Sequence, residues 1–321
     1  MNRLFLVPVL LLAVVLAGCG DDDSPAGPSG GRTIRVPSEE PTIQAGIDAA
    51  SAGDTVLVAS GTYYEHDIIM KSGVYLSSET GQSDCVTVDA QQEGRVFYCY
   101  GVDSLASIVG FMITGAPPLY GEPGGGMRCI ESCPAVTNCK FFESRAYYGG
   151  GMSCEYDSNA TLTNCVFLSN EADSGGGGMF CFYSSPTLIN CTLSGNQAGD
   201  VGGGMFCMFS SPALANCIIA FSSVGEAIHC NSTPLLECCD IYGNAGGDWE
   251  SCIADQYGVA GNFSADPLFC DFPNGDITLA SNSPCLPDGN DCGELIGAYG
   301  QGCEESPVYA SSWGSIKALC W

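Results

Sequence analysis

The sequence predicts an all-β solenoid, a parallel β-helix of about ten coils with a short N-terminal capping helix. Three observations predict it. Asn138-Cys139, Asn164-Cys165, Asn190-Cys191 and Asn216-Cys217 recur every 26 residues. Met127-x-Cys129, Met152-x-Cys154, Met179-x-Cys181 and Met205-x-Cys207 recur in step at 25, 27 and 26, each after a run of glycines. Within each unit the apolar residues alternate at period two, as in short strands with one buried face, and no segment holds a helical period over ten residues.

The first element is a leader. Met1-Asn2-Arg3 runs into the apolar stretch Leu4 to Leu16, which is too short for a stable membrane span and reads as a signal peptide over residues 1–18. Its exit, Leu16-Ala17-Gly18-Cys19, resembles the lipobox of bacterial lipoproteins. That resemblance implies cleavage before Cys19, lipidation of its thiol, and a cell-envelope protein held to a membrane by the lipid. Residues 19–32, with Asp21-Asp22-Asp23 and several Pro, Ser and Gly, read as a flexible tether.

The β-helix domain is expected over residues 33–303. At its start, Ile43, Ile47 and Ala50 lie on one face of a short helix that Gly53 is suited to end. In the repeats, parity sends Met179, Cys181 and Leu188 inward, with Cys191 and Leu193 after the bend. The Asn of each Asn-Cys pair fits a left-handed bend, and Asn amides of successive coils can hydrogen-bond along the axis. Coils about 4.8 Å apart make a rod on the order of 45 Å long.

These features resemble the right-handed parallel β-helix proteins of the pectin-lyase-like superfamily. Val36-Pro37-Ser38 through Ala49-Ala50, with Gly53-Asp54-Thr55-Val56-Leu57-Val58, is similar to the family's opening. Asp266-Pro267-Leu268-Phe269, Asn274-Gly275-Asp276-Ile277-Thr278-Leu279 and Ser283-Pro284-Cys285 are similar to its closing coil. The resemblance implies the right-handed winding and, by analogy alone, a polysaccharide lyase or glycoside hydrolase acting on acidic polysaccharide. Residues 304–321 fall outside it as a C-terminal tail.

With Cys19 lipidated, 20 of the 21 cysteines remain, which in an oxidising location suggests disulfides. Their columns suggest otherwise. Cys129, Cys154, Cys181, Cys207 and Cys230 form one inward column, and Cys139, Cys165, Cys191, Cys217 and Cys239 another, so mostly free thiols packed as small apolar groups are expected there. Disulfides are expected among Cys270, Cys285, Cys292 and Cys303.

The net charge of −27, from 36 acidic and 9 basic residues, excludes nucleic acid as a partner. No lyase pattern surrounds Arg128, Lys140 or Arg145, and His66 and His229 are far apart, with neither expected to be a ligand or base. Asp173, Asp200 and Asp248 share a loop column that could hold calcium or sugar hydroxyls, although solvated turn acids are the simpler reading. Parity places Phe180, Phe182, Phe206 and Met208 outward, with Tyr183 and Phe209 at the strand ends. Either a neighbouring loop or the C-terminal tail covers this strip, or parity slips at the turn, or it is the binding face for a polysaccharide or a surface protein. The expected role is therefore a displayed binding rod, with the enzyme as the alternative.

Overall fold

The computed structural model describes residues 30–304; the leader, Cys19 and most of the tether and tail lie outside them. The chain winds as a right-handed parallel β-solenoid. Among the described residues three long parallel sheets form its walls. The first has nine strands, from Thr33–Val36 to Leu235–Glu237; the second has eight, from Gly61–Tyr63 to Asp240–Tyr242; the third has seven, from Ile68–Ile69 to Ile228–Cys230. A four-stranded ribbon, Leu119–Pro123, Arg145–Tyr148, Glu171–Gly175 and Gln197–Ala198, lies between the second and third walls.

Register is strict where the repeat is strict. Met127 pairs with Met152, Met152 with Met179 and Met179 with Met205, and Cys99, Cys129, Cys154, Cys181, Cys207 and Cys230 align coil on coil. The inward residues named from parity, Met179, Cys181, Leu188, Cys191 and Leu193, are all buried. Inside the core, successive coils stack like on like, as Phe141 does on Phe167 at 4.5 Å with parallel rings.

The corners also follow the repeat. Asn138, Asn164, Asn190 and Asn216 all have φ near +50°, the left-handed conformation that Asn tolerates. The amide ladder is shorter than expected: Asn164 donates to the Asn138 amide oxygen at 3.3 Å, but Asn190 donates instead to the Leu295 carbonyl at 2.7 Å. A second, fully buried ladder carries the next turn, where Asn170 donates to Asn196 at 3.1 Å and Asn196 to the Phe167 carbonyl at 2.8 Å.

The capping helix spans Ile43–Ala49, with Thr42 accepting from the Ala45 N–H and the Glu65 carboxylate accepting from the Ile43 and Gln44 N–H groups. Ile43 and Ile47 are buried as expected. The helix is capped at Ala50 rather than at Gly53, which serves the turn that follows. Gly46 permits its close approach, since a Cβ there would lie 2.8 Å from the Val56 side chain.

Three disulfides join described cysteines, and all lie towards the C-terminal end. Cys230 is in register with the thiol column but is bonded to Cys252, on the short 3-10 helix Ser251–Gln256 that seats Ile253 in the core. Cys270 pairs with Cys303 as one of the expected combinations, but Cys292 pairs with Cys238 and Cys285 keeps a buried free thiol. The reason is that residues 265–303 do not extend the stack. They fold back over the outside of the second wall, burying Phe269, Ile277, Leu279 and Ile296 against Val166, Leu168, Ile218 and Ala220. The remaining members of both columns, from Cys129 to Cys207 and from Cys139 to Cys239, are buried free thiols.

Candidate functional site

The outer surface of the third wall carries the chemistry. Its strands run Ile68–Ile69, Phe97–Tyr100, Met127–Ile130, Met152–Glu155, Met179–Phe182, Met205–Met208 and Ile228–Cys230, all parallel and in register. Alternation turns Phe97, Cys99, Met127 and Cys129 into the core and leaves Ile69, Tyr98 and Arg128 outward in consecutive coils. Further along, Ser153, Phe180, Phe206 and His229 continue this row, and Tyr100, Ile130, Glu155, Phe182 and Met208 form a parallel one.

The expected aromatic strip is present but only partly open. Phe180 is not part of an accessible face, because it is only 5% exposed. The ribbon covers it: Tyr148 stacks on its ring at 4.7 Å, and a Cβ on Gly149 would lie 3.0 Å from the Phe180 Cβ. Phe206 is half-buried, with its ring against Gly175 of the same ribbon, and Phe182 and Met208 are half-buried beside it. Tyr183 and Phe209 are 49% and 53% exposed and stack on each other at 4.8 Å with rings within 10° of parallel. Their solvent-facing area is therefore the edges and the unpaired faces.

Tyr183 and Phe209 belong to a corner column that parity alone does not reveal. Tyr156, Tyr183 and Phe209 follow the ends of three consecutive strands, with φ of 53°, 48° and 51°. Tyr156 is 48% exposed. Each backbone is held across coils: Tyr156 N–H donates to the Phe182 carbonyl, Tyr183 N–H to the Met208 carbonyl, and Phe209 N–H to the Asn231 side chain.

At the other end of the wall, Asp67, Ile69, Arg95, Tyr98 and Arg128 line an open groove of about 250 Å³. Arg128 lies between two acids, donating to both oxygens of Glu155 at 2.9 and 3.2 Å and to Glu122. These hydrogen bonds, with the charges of Glu155 and Glu122, outweigh burial and raise its basicity. Burial, and then the charge of Arg128, lower that of Arg95. Arg128 stands out in the sequence as a repeat residue, but its companions Asp67, Arg95 and Tyr98 do not. The alignment of Phe97-Tyr98-Cys99 with Met127-Arg128-Cys129 was the available signal.

The three candidate calcium ligands do not come together. Asp173 accepts from Arg145 at 2.7 and 3.0 Å, and Asp200 accepts from the Ser174 hydroxyl at 2.8 Å. Asp248 leaves their column to accept from the Gly243 and Asn244 N–H groups, because the coils shorten after residue 217, with Leu214 facing Leu236 across 22 residues. Among the described residues no group of three or more His, Cys, Asp or Glu is arranged to hold a metal. His66 contacts Asp67 and Glu93, while His229, held by Glu226, sits on the far strand of the same wall.

The model of the right-handed β-helix region matches residues 96–264. A search of curated proteins finds no match. Among solved structures, the crystal structure of pectate lyase Pel9A is similar over 63% of this chain, with a TM-score of 0.46 and 13% identity. The chain spans 58% of that protein's length. The matched region takes in more than half of the sequence and every coil of the regular repeat, and the chain belongs to the right-handed β-helix family.

Proposed function

We propose that this protein is a rod displayed on the cell envelope that binds carbohydrate on the outer surface of its third wall, with lipid on Cys19 as the anchor. The corner column Tyr156, Tyr183 and Phe209 carries this reading. A left-handed backbone costs a residue other than Gly or Asn about 1–2 kcal/mol. At the other corner this chain uses Asn four times over. Three aromatic rings that stay half-exposed at a strained position contribute little to the core, so their presence is best understood as a contact surface. One ring per coil at a fixed pitch suits a polymer of repeating units lying along the rod, and Tyr combines an apolar ring with a hydroxyl that can bond sugar oxygens.

Replacing Tyr183 and Phe209 together with Asn separates contact from folding, because Asn is at ease in the left-handed region. In a sedimentation assay with insoluble polysaccharides, the double variant is expected to lose at least tenfold in retention, while its thermal transition stays the same or rises. Full retention by the variant sinks the reading. The anchor has its own test: Cys19→Ser is expected to move the protein out of the membrane fraction or leave it unprocessed.

A further inference from the structure

We infer that the groove at Asp67, Ile69, Arg95, Tyr98 and Arg128 is a second subsite of this surface, shaped for an uncharged sugar residue with neighbouring hydroxyl groups rather than for a uronate. The inference rests on the carbohydrate reading above. The strand of Tyr98 lies two coils from the strand that Tyr156 follows and three from the one that Tyr183 follows, on the order of 10 and 14 Å along the axis at the spacing of adjacent strands. One extended chain can therefore reach the groove and the corner column together.

Arg95 is the centre of the argument. Its side chain is only 11% exposed, yet it makes one hydrogen bond, from Nη1 to the Pro123 carbonyl at 2.9 Å. Asp67 lies 3.7 Å from Nε and Glu122 lies 3.5 Å from Nη2, close enough to attract but long for hydrogen bonds. A guanidinium carries five N–H donors, so Arg95 keeps donors to offer at the groove. Arg128 has fewer to offer, because three of its five already go to Glu155 and Glu122. The groove thus presents an underused donor beside carboxylate oxygens with accepting capacity.

A ligand carboxylate would satisfy Arg95 but would also meet Asp67 and Glu122. Three acids, Asp67, Glu122 and Glu155, stand against the two arginines, and Glu93 follows on the far side of His66 from Asp67. An anion would also approach a chain of net charge −27. A hydroxyl group has no such conflict, since its oxygen accepts from Arg95 while its proton goes to Asp67 or Glu122. The exposed Ile69 side chain supplies the apolar floor that the C–H face of a sugar needs, beside the Tyr98 ring, over which the Arg95 guanidinium lies 5.6 Å from the centroid.

Calorimetric titration with neutral gluco-, manno- and xylo-oligosaccharides and with oligogalacturonate, each at low and high salt, tests this on the wild type and on Asp67→Asn, Arg95→Lys and Tyr183→Asn. Binding of a neutral oligosaccharide that is insensitive to salt, and weakened at least tenfold in each variant without loss of the thermal transition, is the expected result. Asp67 is exposed, so its variant remains informative if Arg95→Lys folds poorly. If only Tyr183→Asn weakens binding, the carbohydrate reading stands and the groove is overturned as a subsite. If oligogalacturonate binds, loses affinity with salt and binds Asp67→Asn more tightly, the groove is an anion site and this inference falls alone. If no oligosaccharide binds, both fall.

Discussion

The regular coils between Met127 and Cys217 and the returning segment 265–303 are both rich in cysteine, and they use it in opposite ways. In the coils, the free thiols of both columns stack in register and fill small buried spaces, and those of the Asn-Cys column donate weakly to backbone carbonyls, as Cys191 does to Ile189 at 3.4 Å; Cys133, outside the columns, is disulfide-bonded. Among the described residues the strands of the returning segment, Phe269–Asp271, Asp276–Ala280 and Gln301–Cys303, pair with one another and not with the walls, and Cys238–Cys292 and Cys270–Cys303 tie the segment down. The difference shows that cysteine content alone does not indicate a disulfide framework. Within the stack the column thiols stay free, whereas at the end of the third wall, as at Cys230–Cys252, and in the returning segment cysteines pair.

That contrast can be broken at several points. The largest effect is expected from replacing Cys238 and Cys292 with Ser, which opens a link across 54 residues and should cost about 3–4 kcal/mol. Denaturant unfolding measures it, and a loss no larger than that from a ladder thiol would erase the distinction.

A comparable effect, dependent on pH, is expected where the returning segment covers Asp240. This carboxyl is buried, accepts from the Ala265 N–H at 3.0 Å and from the Cys285 thiol at 3.3 Å, and burial pushes its pKa up to about 7. The unfolded chain releases this proton near pH 4 while the folded chain holds it to about pH 7. Its contribution is therefore complete below pH 4 and declines as pH rises to 7, by on the order of 4 kcal/mol. Asp240→Asn should flatten that decline, and parallel melting curves of the two proteins from pH 4 to pH 8 would refute the assignment.

A smaller loss, on the order of 1 kcal/mol, is expected for Cys191→Ala, which leaves a small cavity in a coil that otherwise keeps its pairing. Thiol titration of the denatured, unreduced protein sharpens the same point, with at least twelve reactive groups expected. The smallest effect on folding belongs to Tyr183→Asn alone, for which a thermal transition unchanged or slightly raised is expected.

The stack was legible because each coil meets nearly the same neighbours, so a residue's fate could be read from its position in the period. Met179, Cys181 and Cys191 needed only parity and spacing. Phe180 lay beyond parity because Tyr148, on the short strand Arg145–Tyr148 outside the three walls, covers it from outside the sheet. Asp67 and Arg95 come before the repeat becomes regular, where spacing gave no column to follow. The return of residues 265–303 was hidden for a different reason. Its contacts, such as Asn190 to Leu295 across 105 residues, depend on a surface that exists only once the rod has formed.

The left-handed corner at Tyr156, Tyr183 and Phe209 has a consequence for how such a molecule can change. The cross-coil hydrogen bonds there use backbone N–H groups, and the side chains point away from the stack. Each of these three coils therefore carries one position whose side chain the core does not pack, set at a constant pitch along the rod. Such a row works like type set on a fixed bar: single characters can be exchanged to spell a new specificity while the bar keeps its shape.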